Sequence, residues 1–543
     1  MQPATPPLEV TPEELEGLLE TVREALGEAG YQKLKAAIRT LSYVTELLET
    51  REATLASLRR LLCRTRSEKM EAVLEQAGIP RSPTPREPPT EVGSKKPGHG
   101  RHGAKAYPGA QRIEVLHATL HRGDRCPECQ RGKVYPLQEP GLRVRMQGQA
   151  PIAATVYQLQ KLRCNLCGEV FTAEAPAGVD EEKYDATTAS MIALLRYGSG
   201  FPWNRLADLE ESLGLPLPVA TQCEVVAEAA VTLQPAMEEL IRQAAQGEVL
   251  HNDDTSMPVL ALRRNPGIDT NEDESDAAKR TGVFTSGIVS TAQKQTIALF
   301  FTGRQHAGEN LADVLQQRAA KLAPPMQMCD ALSRNLPKLP EKLEVIVGHC
   351  LAHARRRFVE VIENFPQPCR HVLEQLGTVY GNDAVAREQA LPPEERLRFH
   401  QQHSAPVMEE LRDWLNTQFA EKKVEPNSGL GMAMRYLLKH WERLTLFLRQ
   451  PGAPLDNNIC ERALKKAILH RKNSLFYKTT NGARVGDLFM SLIHTCELSG
   501  ANPFDYLTQL QLHADDLARN PLAWMPWNYR ATLEVASIRF DSS

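Results

Sequence analysis

Apolar residues recur at every seventh position in the N-terminal region, residues 1–78. The leucines of this stripe are Leu34, Leu41, Leu48, Leu55 and Leu62. A heptad stripe is typical of a coiled-coil helix and favours assembly of the chain into a homo-oligomer. The alternative is a helix that packs only against its own domain.

Proline, glycine, serine and histidine dominate the next segment, residues 79–113, which lacks the apolar residues of a core. We interpret it as a linker. Between Ser94 and Ile113 it contains five basic residues and no acidic one. The linker is therefore either an arm that follows a phosphate backbone or a solvated tether.

Residues 114–180 combine short alternating segments with two C-x-x-C pairs, Cys126 with Cys129 and Cys164 with Cys167. Four thiolates complete the tetrahedral coordination of one structural Zn²⁺ and leave no open position for catalysis. The pattern predicts a zinc ribbon. Four unpaired core cysteines that happen to fall in pairs are the alternative.

Helical periodicity returns in residues 181–247, around a Gly-Leu-Pro turn at Gly214. This pattern predicts either a helix-turn-helix that reads DNA or a helical hairpin that only packs.

Residues 248–365 contain short β-rich runs mixed with helical pieces, which predict a mixed α/β sheet. Residues 366–450 have a helical pattern throughout and predict an all-helical insertion, with DNA handling or scaffolding as its role.

Acidic residues stand where buried strands should have none. Asp253 and Asp254 interrupt the first strand, and Asp330 follows the apolar run M-Q-M-C at the end of the fourth. A carboxylate in such a place needs a partner, and a divalent cation is a common one. Strand alternation sends Asp253 and Asp254 to opposite faces, and we rank Asp253 first as the ligand.

A third acid, Glu461, lies in the first turns of a helix that Asp456 or Asn457 caps. Seven Lys or Arg and no acid follow between Arg462 and Gly486. One carboxylate at the head of a basic stretch fits a metal ligand beside a phosphate backbone, although a lone helical Glu is more often a solvated residue. The candidate DNA contacts here are Arg462, Lys465, Lys466, Arg471 and Lys472.

Cys350 and His353 form a C-x-x-H ahead of Arg355, Arg356 and Arg357. The pair is either the start of a second metal site or a buried thiol beside a helical histidine. The three arginines are candidate phosphate ligands, with a solvated basic face as the alternative.

Composition narrows the class of protein. The chain has 543 residues, 42% of them hydrophobic, a net charge of −3 and 11 cysteines. This length exceeds one compact core, so we expect several domains. The N-terminus has no secretion signal and no apolar run approaches the roughly 18 residues of a membrane span, so we expect a cytoplasmic protein without a membrane partner.

The order of the motifs N-D-D-T-S-M-P-V-L, M-C-D-A, G-H-C-L-A-H-A-R-R-R-F and D-N-N-I-C-E-R-A-L-K-K-A resembles the insertion-sequence-66 family of bacterial transposases. These belong to the DDE class and have a ribonuclease-H-like core. The resemblance implies Asp253, Asp330 and Glu461 as the catalytic triad. The chain departs from the family's pattern at Lys465-Lys466, around His470 and at Ser474, in the basic helix rather than at the acids.

The resemblance also implies the chemistry. Three carboxylates would hold two Mg²⁺ or Mn²⁺ ions for in-line displacement at a phosphodiester. The expected substrate is double-stranded DNA, both the terminal inverted repeats of the element and the target, in a prokaryotic cell. Small accessory proteins of the same element are expected partners. The alternatives are a metal-dependent nuclease or resolvase on the same core, or a zinc-ribbon DNA-binding protein with an inactive core.

The expected architecture is multidomain α/β plus α, with a ribonuclease-H-like mixed sheet interrupted by a helical insertion. The boundaries that we expect are a coiled coil over 1–78, a linker over 79–113, a zinc ribbon over 114–180, a helical segment over 181–247, the core with its first two acids over 248–365, the insertion over 366–450, the last core helices over 451–515 and a tail over 516–543.

Overall fold

The computed structural model describes Tyr31, Gln32 and residues 112–541, with gaps in the second range. The gaps are 117, 138–142, 144, 146–148, 164, 166, 168, 177–178, 180–181, 263–279 and 293–294. The leucine stripe and nearly all of the basic linker lie outside the described residues. The chain divides into two compact units, Met1–Ser82 with Val359–Gly377, and Pro83–Phe358 with Thr378–Ser543.

A mixed sheet forms the centre of the second unit. Its strands are β3 (Val249–Ser256), β4 (Phe284–Ala292), β5 (Gln295–Gly303), β6 (Met326–Cys329) and β7 (Ile346–His349), and β1 (Lys161–Arg163) and β2 (Val170–Thr172) form a separate antiparallel hairpin. The strand order is β5-β4-β3-β6-β7, with β4 antiparallel to both neighbours and β3, β6 and β7 mutually parallel. The sequence prediction of a mixed α/β core is confirmed.

Helices surround this sheet and continue beyond it. They are α1 (Ala186–Ala193), α2 (Trp203–Ser212), α3 (Val219–Ala244), α4 (Ala307–Leu315), α5 (Leu351–Val361), α6 (Pro366–Glu388), α7 (Pro393–His403), α8 (Ala405–Ala420), α9 (Gly429–Lys439), α10 (Trp441–Leu444), α11 (Asn458–Ser474), α12 (Thr480–Leu498), α13 (Pro503–Leu512), α14 (Ala514–Arg519) and α15 (Tyr529–Asp541). Among the described residues, no helix is long and apolar enough to cross a membrane.

Helix α12 covers the edge strand β5 and satisfies its outward N–H groups. Side chains at four-residue spacing accept from alternate strand residues: Thr495 from Ala298, Ser491 from Phe300 and Asp487 from Thr302. An exposed strand edge would otherwise offer unpaired donors to another chain. Burial raises the pKa of Asp487 to about 7. The polar residues of α12 thus close the sheet on this side.

The segment that the sequence allows as a helix-turn-helix is built into the main core. Helix α2 ends before a turn in which Gly214 has φ +78°, and α3 then runs for 26 residues. Leu233 and Leu240 of α3 are wholly buried in the same core cluster as Leu250 of β3. Packing against the sheet is therefore a role of this second helix.

The C-terminal residues also pack against this core. Leu517, Trp524 and Tyr529 are buried in it, and the Tyr529 hydroxyl donates to Asp505 Oδ2 at 2.8 Å.

Between α5 and α11, the elements of the described chain are helical, with a 3₁₀ turn at Leu446–Leu448.

Helix α4 packs closely against the loop that follows β6, and Gly308 of the helix is the point of contact. A Cβ atom on Gly308 would lie 2.5 Å from the carbonyl oxygen of Leu336 and 2.7 Å from that of Arg334. Both are backbone atoms, so they cannot move without shifting the loop. The close approach fixes the loop and the short 3₁₀ turn Ser333–Asn335 within it.

We expect Gly308→Ala to lower the free energy of unfolding by about 1–3 kcal/mol, because the added methyl group overpacks a rigid backbone contact. Urea unfolding followed by circular dichroism measures the change. Gly303→Ala is the matched control, since nothing lies within 4 Å of a Cβ at that position. Equal stability of the two variants would contradict the proposed contact.

Candidate active site

The structure brings Asp253 and Asp330 together at one edge of the sheet. Asp253 lies in β3, and Asp330 directly follows β6, the parallel neighbour of β3. The side-chain amide of Asn335 donates to both carboxylates, at 3.2 Å to Asp253 Oδ1 and 2.6 Å to Asp330 Oδ1. Two acids 77 positions apart in sequence therefore share one hydrogen-bond donor.

Asn335 is fixed by its own surroundings and is wholly buried. Its backbone carbonyl oxygen accepts from Asn252 Nδ2 at 2.8 Å and from Gln327 Nε2 at 2.7 Å. Gln327 Nε2 also donates to Asn252 Oδ1 at 2.8 Å. The sequence analysis missed Asn335, because a lone asparagine in a loop carries no spacing signal that connects it with a strand 80 residues earlier.

The shared donor does not offset the charge of the two acids. The pKa of Asp253 is raised to about 7 by burial first and then by the negative charge of Asp330. A hydrogen bond from the Asp254 backbone N–H, 2.8 Å from Asp253 Oδ1, opposes the rise. An under-compensated pair of hard oxygen ligands is the environment that a divalent cation stabilises.

Asp254 points to the opposite face and has its own partners. His306 Nδ1 lies 2.8 Å from its Oδ2, and an Arg334 guanidinium nitrogen lies 3.2 Å from its Oδ1. Its side chain is 1% exposed. The alternation expected from the strand is thus present, and Asp254 ties β3 to α4 and to the loop after β6.

Glu461 lies in the first turn of α11, facing α5. Its Oε1 lies 3.6 Å from His353 Nδ1, and its Oε2 lies 3.6 Å from an Arg356 guanidinium nitrogen. Burial raises the pKa of the neighbouring Cys460 thiol, and the charges of Asp253 and Glu461 raise it further. Both acids therefore lie near one buried side chain.

The start of α11 is anchored to β3 by Asn457. This side chain donates to the Asn252 carbonyl oxygen at 3.1 Å and lies 3.1 Å from His251 Nδ1, while its backbone N–H donates to Cys350 Sγ at 3.2 Å. Asn457 stands at the N-cap position of α11, but its side chain makes no capping hydrogen bond and bonds to β3 instead, while the Asn458 N–H donates to Asp456 Oδ1 at 3.1 Å. Asn457 fixes the position of Glu461 relative to the strand that carries Asp253.

The candidate acids do not converge to one tight group. Within the described part of the chain, the set of three ligating side chains whose ligand atoms all lie within 4.8 Å of one another is Cys350, His353 and Glu461. Asp253 and Asp330 belong to no such set there. Glu461 thus groups with the thiol and imidazole of the β7–α5 segment and not with the carboxylates of the sheet.

The candidate DNA contacts divide into engaged and exposed cations. Lys466 pairs with Glu497 at 2.8 Å, and Arg471 donates to the Thr255 hydroxyl at 3.1 Å. Arg462, Lys465 and Lys472 are exposed on the same helix. The structure therefore gives Lys466 and Arg471 bracing contacts and leaves the other three facing solvent.

A basic groove adjoins Asp330. Its volume is about 500 Å³, and its lining includes Arg357, Arg435, Tyr436 and Lys439. The Arg357 guanidinium lies 3.9 Å from the centre of the Tyr436 ring. Burial raises the pKa of the Tyr436 phenol, the charge of Arg357 opposes the rise, and the nearby negative charge of Asp330 adds to it.

One of the two predicted zinc knuckles is well described. The Gly132 N–H donates to Cys129 Sγ at 3.5 Å, and this bond is the largest cause that lowers the Cys129 pKa. A bond from Cys126 N–H to the Gly132 carbonyl at 2.8 Å closes the turn. Cys167 is exposed in the β1–β2 turn, and Cys164 lies outside the described residues. The structure therefore leaves the four-cysteine site a prediction.

The raised pKa of Asp253 predicts a pH-dependent difference in stability. In solution without divalent cations, the Asp253 carboxyl of the folded protein keeps its proton up to about pH 7, whereas an ordinary aspartate loses its proton near pH 3.8. Stability therefore falls as pH rises from about 4 to about 7. We expect Asp253→Asn to match the wild type below pH 4 and to exceed its stability by on the order of 4 kcal/mol at pH 8.

Urea unfolding of both proteins at several pH values measures this difference. Asp487, whose pKa is also raised to about 7, is present in both proteins and cancels in the comparison. A difference that stays constant from pH 4 to pH 8 would show that the Asp253 carboxyl titrates normally.

Comparison with known proteins identifies the family. The model of the Transposase IS66 family matches residues 182–485, which include the mixed sheet and α11. Two relatives are uncharacterized proteins of Sinorhizobium fredii (strain NBRC 101917 / NGR234). The protein y4jD is 33% identical over 189 residues, 34% of this chain and 36% of the relative, and y4hP is 22% identical over 391 residues, 68% and 67%. The chain thus aligns with about a third of the first relative and two thirds of the second. Because the family model matches more than half of the chain, this protein belongs to the IS66 transposase family.

Proposed function

We propose that the protein binds the terminal inverted repeats of its own element, cleaves the DNA there and joins the freed 3′ ends to target DNA. Family membership supports a transposase. The observation that carries the catalytic part is the Asn335 amide shared by Asp253 and Asp330 on neighbouring parallel strands. The α11 helix, which presents Glu461, is held on the same strand by Asn457.

The strand order supports a ribonuclease-H-like core. Three antiparallel strands, β5, β4 and β3, continue into two parallel strands, β6 and β7. In this arrangement the first acid lies on the central strand β3 and the second directly after β6. We propose Asp253, Asp330 and Glu461 as the catalytic triad of such a core.

The donor set fits divalent ions. The three acids offer hard oxygen ligands, and burial together with the negative charge of Asp330 raises the pKa of Asp253. We propose that they hold two Mg²⁺ ions, for which Mn²⁺ can substitute. Bound ions would supply charge stabilisation for the attacking and leaving oxygens of the phosphodiester.

The residues around the acids hold them in place for this reaction. Asn335 keeps Asp253 and Asp330 oriented toward each other, and Asn457 fixes the start of the helix that carries Glu461. Arg356, 3.6 Å from Glu461, places positive charge beside the site where a DNA phosphate would lie. The attacking group is water during cleavage and the 3′-hydroxyl during strand transfer, so no covalent enzyme intermediate is required.

DNA would be bound by the exposed cations around the acids. Arg462, Lys465 and Lys472 are exposed along α11, and Arg357, Arg435 and Lys439 line the groove beside Asp330. Such side chains neutralise phosphates without reading sequence. Arg355 remains a candidate phosphate ligand, and Lys466 and Arg471 would act by bracing the helix.

Other parts of the chain would serve assembly. We propose that the cysteine pairs of the 114–180 region bind one structural Zn²⁺, with the well-formed turn at Cys129 as support. The heptad stripe of residues 1–78 would form a homo-oligomer that holds two element ends, and small accessory proteins of the element remain proposed partners.

A metal-dependent nuclease or resolvase would use the same core, since the acids alone do not distinguish cleavage from joining. A labelled element-end fragment incubated with a target plasmid and Mg²⁺ separates the two. Cleavage with strand-transfer products supports the transposase, whereas cleavage without them supports the nuclease.

We expect Asp330→Asn and Glu461→Gln each to reduce end cleavage and strand transfer by at least about 100-fold, because each removes a charged ligand from the ions. Binding of end DNA, measured by gel retardation, should be retained. Asp313→Asn, on the exposed face of α4, is the matched control and should keep full activity. Full activity of either acid variant would refute its assignment.

Neutralising the exposed face of α11 should weaken DNA binding in a salt-dependent way. For Lys465→Ala we expect the slope of log K against log salt to become shallower by about 1, because one phosphate contact is lost. Fluorescence anisotropy at several salt concentrations measures the slope. Lys321→Ala, exposed in the loop before β6, is the control, and equal slopes for the two variants would remove Lys465 from the interface.

A further inference from the structure

The thiol and imidazole beside Glu461 form a donor set of a different character from the carboxylates of the sheet. Cys350 directly follows β7, and His353 lies in the first turn of α5. Ligand atoms of Cys350, His353 and Glu461 all lie within 4.8 Å of one another. Cys350 is wholly buried, so the cluster has a closed inner side.

Two atoms of this cluster lack the hydrogen bonds that buried polar atoms normally make. His353 Nδ1 and Glu461 Oε1 are both buried without a hydrogen-bond partner, and they face each other at 3.6 Å. A tetrahedral ion with bonds of about 2.0–2.3 Å brings its ligand atoms to roughly this spacing. The geometry is therefore that of two ligands with room for an ion between them.

One backbone group is placed to stabilise a thiolate at Cys350. The Asn457 N–H donates to Cys350 Sγ at 3.2 Å and opposes the rise in thiol pKa that burial causes. The other carboxylate oxygen of Glu461 faces Arg356, which leaves Oε1 toward the cluster. Thiolate and imidazole together select Zn²⁺ and not Mg²⁺, which prefers oxygen ligands.

We infer that Cys350 Sγ, His353 Nδ1 and Glu461 Oε1 bind one Zn²⁺ ion, and that this ion inhibits the Mg²⁺-dependent reaction by occupying Glu461. Binding converts the thiol to a thiolate and releases its proton to solvent. Three protein ligands leave the fourth position of the ion to water. The inhibitory part of the inference rests on the proposed function of Glu461, whereas the binding part does not.

Cobalt(II), which replaces Zn²⁺ and absorbs in the near ultraviolet when a thiolate binds it, is the probe for the site. The full chain, stripped of metal by a chelator that is then removed, is titrated with Co²⁺. We expect the wild type to bind one equivalent more than Cys350→Ser, His353→Asn or Glu461→Gln. Cys496→Ser changes a buried cysteine of α12 outside the cluster and should keep that equivalent.

The substitutions at His353 and Glu461 guard against misfolding of the Cys350 variant, since both positions are partly exposed. Cys126→Ser is titrated in parallel. It should lose only metal bound in the ribbon region and keep the equivalent that depends on Cys350. If Cys126→Ser also loses the Cys350-dependent equivalent, the inference is overturned. An unchanged equivalent in all three cluster variants would also overturn it.

The second measurement is inhibition of end cleavage by Zn²⁺ in the presence of Mg²⁺. Each protein is compared with its own zinc-free rate, and we expect Cys350→Ser to need at least tenfold more Zn²⁺ for half inhibition. Equal sensitivity of wild type and variant would overturn the inhibitory part.

The two measurements separate the inference from the proposed function. A Cys350-dependent equivalent of Co²⁺ together with an active Glu461→Gln variant would support the metal site and refute the catalytic role of Glu461. An inactive Glu461→Gln variant, together with a wild type that binds no more Co²⁺ than Cys350→Ser does, would support the catalytic role and refute the metal site.

Discussion

The site depends on one constraint: two carboxylates are partly buried at the same edge of a sheet and share a single amide. Because Asn335 donates to both Asp253 and Asp330, neither acid can turn away without losing a bond. The asparagine is itself immobilised by its carbonyl contacts with Asn252 and Gln327. A charged pair in this setting is costly unless a cation joins it, so the same bonds that hold the acids in register also prepare a cation site.

The third acid is positioned by a separate set of contacts. Asn457 bonds the start of α11 to the backbone of β3, and a Cβ on Gly287 of β4 would lie 2.9 Å from Leu464, so helix and sheet approach closely. Glu461 therefore cannot slide along the strand, although its side chain lies toward His353 and Arg356. In this structure the glutamate therefore faces the thiol and imidazole donors, while the helix that carries it is held on the strand of Asp253.

The sequence predicted much of this region for identifiable reasons. Acids within or directly after apolar strands are conspicuous, so the sequence singles out Asp253 and Asp330 as candidates, and the period of two separates them from Asp254, which pairs with His306. The roles of Asn335 and of Asn457, which bonds to β3 and to Cys350, could not be predicted, because they lie in contacts between distant segments. Charge counting likewise could not separate Lys466, which pairs with Glu497, from its exposed neighbour Lys465.

The hairpin β1–β2 has little apolar surface of its own to hold it folded. Leu162, Val170 and Phe171 are between 51% and 61% exposed, so these strands bury little apolar surface in the described chain. Two strands of three residues with an exposed face are marginal in water. The turn at Cys129 is nonetheless closed by hydrogen bonds from the backbone, and the lowered pKa of the Cys129 thiol favours its thiolate form. Preformed turns with little core are typical of small domains that a structural metal ion stabilises, and this supports our proposal that the cysteine pairs bind an ion separate from the chemistry of the carboxylates.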